Sequence, residues 1–328
     1  MTDTGTPTHG RPMSRTLLSL VVPFYNEEDA IAAFFAEVVP ALEALGEIND
    51  IDFEIVCVND GSKDSTLPLL VDAANADARV RVIDFSRNFG KEAALSAGLA
   101  ESRGDIVVPF DADLQDPPEV IAQLVSKWRE GFDVVLARRS DRSSDTYLKR
   151  QSAVSFYRLH NKLADVKIPE NVGDFRLMTR EVVDTLNALP ESRRFMKGLF
   201  AWVGFRTAEV TYVRKSRVAG ETKFSGWKLW NFALEGITSF STVPLRMWTY
   251  FGLMVAASSF LYAAYLVIRT LLRGIDVPGY ASIFVSLLFF SGVQMIGIGV
   301  IGEYIGRIYL ESKRRPLYVI RRRYGKEK

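Results

Sequence analysis

One cysteine and two histidines are spread through 328 residues. Cys57 alone can form neither an internal disulfide nor a cysteine zinc cluster. With only His9 and His160, a multi-histidine metal centre is excluded, and a histidine-based triad would have to use one of these two. Charge of one sign is also lacking: 41 Lys and Arg stand against 39 Asp and Glu, a net charge of +2, which makes no case for nucleic acid as a partner. The first crossover has no G-x-G-x-x-G, and nothing matches G-x-x-x-x-G-K-[ST], so neither a dinucleotide fingerprint nor a P-loop is supported. Residues 1–15 are polar and have no apolar h-region; they read as a disordered lead-in rather than a signal peptide. Chemistry is left to Asp, Glu, Lys, Arg and a bound hard cation.

Apolar residues, by contrast, are plentiful at 48% of the chain, and they are unevenly placed. Thr249 to Ile268 and Val277 to Gly302 contain no charged residue. A helix rises about 1.5 Å per residue, so roughly 20 apolar residues cross a ~30 Å hydrocarbon core, and both runs are long enough. A pair of buried core helices is the plainer alternative. Arg246, Arg269 and Arg273 flank the first run, and Glu303 and Arg307 end the second. The tail carries Lys313, Arg314, Arg315, Arg321, Arg322, Arg323, Lys326 and Lys328, which predicts a cytoplasmic C-terminus suited to anionic headgroups. Two crossings bring the N-terminal part to the same side. The division expected is a lead-in at 1–15, a catalytic domain at 16–223, an interfacial helix at 224–243, a two-helix transmembrane domain at 244–310 and a basic tail at 311–328.

From Leu17 to about Leu136 short apolar runs alternate with helical stretches: strands at 17–22, 53–58, 80–85, 105–110 and 132–137, with helices between them. Continuous apolar strands alternating with helices predict a Rossmann-like α/β fold, a mainly parallel sheet covered on both faces. Ligands bind beyond the carboxyl ends of such strands. Four polar clusters fall there: Tyr25-Asn26-Glu27, Asn59-Asp60, Ser86-Arg87 and Asp111-Ala112-Asp113. Further on, 147–164 and 224–240 read as short basic and aromatic amphipathic helices, either interfacial or packed on the sheet.

Asp111 and Asp113 are two apart as a strand leaves the sheet. In extended chain they face the same way and can share Mg²⁺ or Mn²⁺, with Gln115 as a further oxygen ligand and a diphosphate supplying the rest. Asp116 reads instead as a helix N-cap, with Pro117 at N1 and Glu119 completing a capping box. Asp60 is either a turn residue or an acceptor for a nucleobase or ribose. Basic residues after Asp174, among them Arg194, Lys197, Arg214, Arg217 and Lys223, suit an anionic acceptor, and Arg138 is placed with Arg194 and Lys197 as a candidate for its phosphate.

The segments SLVVPFYNEE, VCVNDGSKDST, DFSRNFGKEAALSAG, PFDADLQDPPE, GDFRLM, RFMKGLFAWVG, GETKF and GVIGEYIGRIY, in that order, resemble glycosyltransferase family 2. They are most similar to its bacterial polyprenyl-phosphate (bactoprenol) glucosyltransferases, relatives of dolichol-phosphate mannose synthase. The resemblance implies a GT-A fold on the cytoplasmic face of the cell membrane, with two transmembrane helices. It also implies a nucleotide-sugar donor (UDP-glucose), a polyprenyl phosphate acceptor and a homo-oligomer of four copies. It assigns Pro23, Tyr25, Glu27, Asp60 and Asp111 to the nucleotide or donor, with Arg217 and Lys223 near the diphosphate. Asp111, Asp113 and Gln115 go to the metal, and Asp174 is the catalytic residue. Other donors (GDP-mannose, a UDP-aminoarabinose derivative, UDP-N-acetylglucosamine) and a non-enzymatic, membrane-tethered sugar-nucleotide sensor are alternatives. A processive synthase would carry Q-x-x-R-W, which is absent.

Overall fold

The computed structural model describes residues 15–140, 172–191, 194, 196–214, 243–273 and 279–325. The chain divides into two compact units, one of Met1–Arg150, Pro169–Lys223 and Pro316–Lys328, the other of Gln151–Ile168 and Phe224–Arg315. Both expected amphipathic helices, Arg217 and Lys223 lie outside the described residues.

The first unit begins β1 (Thr16–Phe24), α1 (Glu28–Asn49), β2 (Ile51–Asn59), α2 (Thr66–Ala76), β3 (Val80–Phe85), α3 (Lys91–Glu101), β4 (Ile106–Pro109) and α4 (Val120–Arg129). It continues with β5 (Val134–Arg139), β6 (Val172–Thr179), α5 (Arg180–Ala188), α6 (Met196–Trp202) and β7 (Thr207–Tyr212), and closes with β8 (Ile320–Tyr324). The eight strands form one sheet in the order β7, β5, β6, β4, β1, β2, β3, β8. β1 pairs in parallel with β2 and β4, β2 with β3, and β5 with β7; β6 and β8 run antiparallel to their neighbours. The expected GT-A-type α/β sheet is therefore present, and the alternation of apolar runs with helices was its signature. Leu18, Leu20, Val21 and Val22 are all fully buried, as a strand covered on both faces requires.

An aromatic chain runs beneath the carboxyl rim of the sheet. Phe24 meets Phe34 edge-on at 5.4 Å, Phe34 lies 6.2 Å from Phe110, Phe110 meets Phe175 at 5.4 Å, and Phe175 meets Tyr212 at 5.8 Å. These rings come from β1, α1, the end of β4, β6 and β7. Each buried ring contributes about 1.5–3 kcal/mol, so the rim loops rest on a stiff floor.

The tail differs from expectation. Residues from Pro316 onward group with the sheet, and Ile320–Tyr324, within the expected basic tail, is a strand whose three arginines remain exposed. The physical reason is the free edge of β3, whose backbone groups β8 satisfies, while Glu101 takes Arg323 through two hydrogen bonds of 2.6 and 3.1 Å.

The second unit holds two long helices, α7 (Val243–Arg273, 31 residues) and α8 (Tyr280–Ser312, 33 residues). At 1.5 Å per residue they are roughly 45 and 50 Å long. A Cβ on Gly297 would lie 2.0 Å from Trp248 Nε1, so this glycine admits the indole and lets the two helices approach. Among the described residues one stretch, Phe289–Ser312, is long and apolar enough to cross a membrane. Leu261, Leu271, Leu272, Ile283 and Ile308 are strongly exposed in this unit.

Candidate active site

The rim loops are locked before any ligand arrives. After β1 the chain turns through Asn26, held left-handed at φ 50°, and Asn26 Oδ1 accepts from Lys63 N at 2.9 Å. Asn26 N and Glu27 N donate to Ser62 Oγ and Thr66 Oγ1 at 3.0 and 2.9 Å. Asn26 thus laces the β1 and β2 loops together, and α1 starts at Glu28. Gly61, at φ 65°, lies so close to the next loop that a Cβ would fall 2.4 Å from Arg87 C. Pro23 lies within β1, Tyr25 is exposed at the rim, and Glu27 is half-buried beside it.

Asp60 is buried, and its oxygens are already engaged. Oδ1 accepts from Phe89 N at 2.7 Å, and Oδ2 accepts from Gly90 N at 2.9 Å and Asn88 Nδ2 at 3.0 Å. Burial pushes this carboxyl up, and those backbone donors and Arg87 oppose the rise. Here it fixes the loop that leads into α3.

Lys91 is the first residue of α3. Its ammonium lies 2.7 Å from Asp111 Oδ1 and 2.9 Å from Asp174 Oδ2. β4 and β6 pair Ile106 with Thr179 and Val107 with Met178, so the turn after β4 and the first residues of β6 come to the same rim. Two neighbouring carboxylates repel unless a cation lies between them. Burial would raise the Asp174 carboxyl, but Lys91, Lys197 and Arg176 hold it well below the usual range. Its Oδ1 is buried with no hydrogen-bond partner among the described residues. Crowding opposes the Lys91 charge, yet Asp111 and Asp174 raise its pKa. Next to it, burial and then Asp174 push Glu92 up to about 7.

Asp111 and Asp113 lie in the turn after β4, not in extended chain, so strand parity is not what sets their relation. That turn places Leu114 at φ 52°, a conformation rare for a branched residue and a mark of a constrained loop. Gln115 N donates to Asp113 Oδ1 at 3.2 Å. The donors Asp111, Asp113 and Gln115 are hard oxygens, the right chemistry for Mg²⁺ or Mn²⁺. Among the described residues no three His, Cys, Asp or Glu side chains come together to hold an ion. A partial shell of this kind fits an ion completed by phosphate oxygens.

The capping reading of Asp116 is corrected. α4 starts at Val120 with no side-chain cap, and Asp116 is buried, accepting a hydrogen bond from the Tyr212 hydroxyl with Arg214 Nε at 3.7 Å. Arg139 Nε donates to that same phenol oxygen at 3.3 Å. A buried carboxylate with a phenol and arginines in reach is a stronger draw than an exposed cap. Arg138 is exposed, paired with Glu209 at 3.0 Å, while Arg139 takes the inward parity of β5. Arg194 NH2 donates to Leu189 O at 2.8 Å, and its Nε is a buried donor with no hydrogen-bond partner among the described residues. Lys197 is half-buried and acts electrostatically on Asp174.

The site thus gathers Lys91, Asp111 and Asp174, with Asp113 and Gln115 on the adjoining turn. Lys91, Glu92, Arg139 and Arg176 were not singled out from the sequence. Lys91 had a signal: a lysine in a helix's first turn opposes the macrodipole, and such a local misfit marks function. Arg176 is buried over the Phe200 ring at 3.9 Å, where burial lowers its pKa to about 10, still cationic at neutral pH.

The Glycosyl transferase family 2 profile matches residues 19–186, which span β1 to α5 and include Lys91, Asp111, Asp113 and Asp174. The chain belongs to glycosyltransferase family 2. It is a glycosyltransferase. A second profile, the GtrB C-terminal hairpin, matches residues 243–308, covering most of α7 and α8. A bactoprenol glucosyl transferase of Shigella phage SfV is 58% identical over 304 residues, 93% of this chain and 98% of that one. A prophage bactoprenol glucosyl transferase homolog of Escherichia coli K12 is 55% identical over 305 residues, 93% of this chain and 98% of that one. An uncharacterized glycosyltransferase of Synechocystis is 52% identical over 310 residues, 94% and 96% of the two chains. Among solved structures, glucosyl-3-phosphoglycerate synthase of Mycobacterium tuberculosis is 21% identical, with 68% of this chain and 77% of that one covered at a TM-score of 0.46.

Proposed function

We propose that this family 2 glycosyltransferase moves glucose from UDP-glucose to bactoprenol phosphate, with inversion at the anomeric carbon. The names of relatives at 55–58% identity support the sugar and the lipid. The observation that carries the chemistry is the Lys91 ammonium held between Asp111 and Asp174 at the carboxyl rim of the sheet.

The acceptor phosphate oxygen attacks the anomeric carbon, a bond forms there, and the bond to the nucleoside diphosphate breaks. A phosphate monoester has a second pKa near ~6, so it arrives largely dianionic and needs no base. Asp174 is correspondingly unsuited to be one, since its neighbouring cations hold it ionised and weakly basic. Its task is orientation: one oxygen fixes Lys91, and Oδ1, buried with no hydrogen-bond partner among the described residues, is an acceptor that a substrate hydroxyl reaching it would complete. Asp111, Asp113 and Gln115 would hold the Mg²⁺ or Mn²⁺, which when bound would offset the charge gathering on the leaving diphosphate. Lys197 and Arg194 supply cationic charge for phosphate groups, and Arg217 and Lys223, outside the described residues, are assigned to the diphosphate by the family resemblance alone; Arg138, engaged with Glu209, is left out.

Both α7 and α8 span the cell membrane in this reading, with the sheet and the C-terminus on the cytoplasmic side. The basic residues flanking the hairpin support that orientation.

The test is incubation of membranes carrying the full chain with undecaprenyl phosphate and a panel of radiolabelled nucleotide sugars, followed by lipid extraction. UDP-glucose is expected to label the lipid fraction. Label arriving only from GDP-mannose, UDP-N-acetylglucosamine or a UDP-aminoarabinose derivative would replace the donor, and label from none would overturn the reaction.

A further inference from the structure

We infer that the segment Tyr318–Tyr324, reached only after the chain leaves the helical hairpin, is a positioning element for the loop that carries Lys91 into the active site. The inference rests on the reading of that rim as the donor site.

β8 pairs antiparallel with β3, Val82 with Tyr324 and Phe85 with Ile320, with a register shift between Asp84 and Phe85. The pairing then runs past the strand into the loop, where Ser86 N donates to Val319 O at 3.0 Å. One residue earlier, the Tyr318 ring stacks on Phe85 with centroids 5.1 Å apart and planes 10° apart. Phe85 in turn meets Phe89 edge-on at 5.7 Å. Phe89 N and Gly90 N are the backbone donors to Asp60, and Lys91 follows directly.

The loop 86–90 is therefore gripped from two sides. Asp60 and Gly61 press on it from the β2 side, and Tyr318 and Val319 hold it from the C-terminal side. Without β8, β3 would be the edge of the sheet, and edge residues open most readily. The loop ends in the residue whose ammonium must sit between two carboxylates, so a small displacement there is felt at the reacting groups. A misplacement of about 1 Å at such a site lowers turnover by up to about a hundredfold.

Full-length protein in detergent, as wild type, Tyr318→Ala, Tyr318→Phe and Lys127→Ala, tests this. Two readouts are taken: kcat and KM for the donor, and amide hydrogen exchange across 86–90. In Tyr318→Ala, exchange in that segment should rise about tenfold or more, and kcat should fall by between about tenfold and a hundredfold, more than KM changes. Tyr318→Phe keeps the stack and should restore both. Lys127→Ala removes an exposed ion pair with Glu130 at the end of α4, away from β8 and the loop, and should change neither. Tyr318→Leu, with apolar bulk but no flat ring, carries the same test if the alanine variant does not fold. The inference is overturned if Tyr318→Ala matches wild type in both readouts. It is equally overturned if activity falls only with the folded fraction while exchange rises evenly over the sheet. If wild type transfers no sugar, the functional reading fails by itself, and the exchange comparison alone decides this one.

Discussion

Two clusters of charge sit on the same sheet, one in the first half of its central strands and one at their carboxyl ends, and they are built on opposite terms. In the first, Glu54 Oε1 accepts from Ser19 Oγ at 2.6 Å and Arg103 N at 2.7 Å, and Oε2 accepts from Arg81 NH1 at 3.2 Å. Arg81 also donates to Glu101 O, and Ser19 Oγ accepts from Gly104 N. Both oxygens of the buried carboxylate are engaged. At the other end Lys91 serves two carboxylates, and a buried oxygen of Asp174 has no hydrogen-bond partner among the described residues. A saturated network ties three strands and a loop together and has nothing left to offer a ligand. A network with spare acceptor capacity is poorer as a fastener and is useful only when something else completes it.

The sharpest way to break the comparison is on the rim. Asp113→Ala should reduce transfer by about a thousandfold or more, and UDP titrated calorimetrically with and without Mn²⁺ should lose its metal-dependent affinity. Asp174→Asn should separate the two jobs: turnover falls by about a hundredfold or more while UDP plus Mn²⁺ still binds. If Asp174→Asn turns over normally, the orienting role is wrong. If it loses nucleotide instead, Asp174 belongs with the donor set.

Glu54→Ala probes the other cluster. It strips the Arg81 guanidinium, only 14% exposed, of its closest charged partner, and also leaves Ser19 Oγ and Arg103 N short of an acceptor. A loss of about 3 kcal/mol is expected, read as a lower denaturation midpoint with kcat per folded molecule unchanged. A fall in kcat of the folded fraction would show that the two clusters communicate.

Much of this contrast was legible in the sequence, and unequally so. The strands of the central sheet were readable because burial on both faces writes a continuous apolar run, as in β1 and β2. Convergence of rim loops followed from parallel topology, so Asp60, Asp111 and Asp113 could be placed at one edge. What could not be read was partnership. Whether Asp116 caps α4 or faces Tyr212 depends on a strand some 90 residues later, and no local pattern encodes that. Arg138 and Arg139 are adjacent, and only the register of β5 says which turns inward. The C-terminal arginines carry the signature of a membrane-surface tail, and the same residues lie along an added strand. Composition describes what a segment can attract; topology decides what it meets.

The smallest predicted effect concerns pH, and it draws the line between neighbours on the rim itself. Burial, together with Asp174, lifts Glu92 from an ordinary carboxyl value near 4.5 to about 7 in the folded chain. The folded state therefore keeps a proton that the unfolded state has released over that window. The stability this contributes is fully present below about 4.5 and is lost as pH rises through about 7. Asp174 has the opposite sign. Its folded value is depressed below 3.8, so its contribution is present above the unfolded value and is lost as pH falls through the lower folded one. Between pH 5 and 7 Glu92 is the member of the pair that titrates. Glu92→Gln should flatten the fall of the melting midpoint across that range while leaving in place the acid limb, to which Asp174 contributes together with the depressed carboxylates Asp64, Asp77 and Glu101. Melting curves of the two proteins at half-unit pH steps decide it: parallel profiles would mean that Glu92 loses its proton in the folded chain as readily as in the unfolded one.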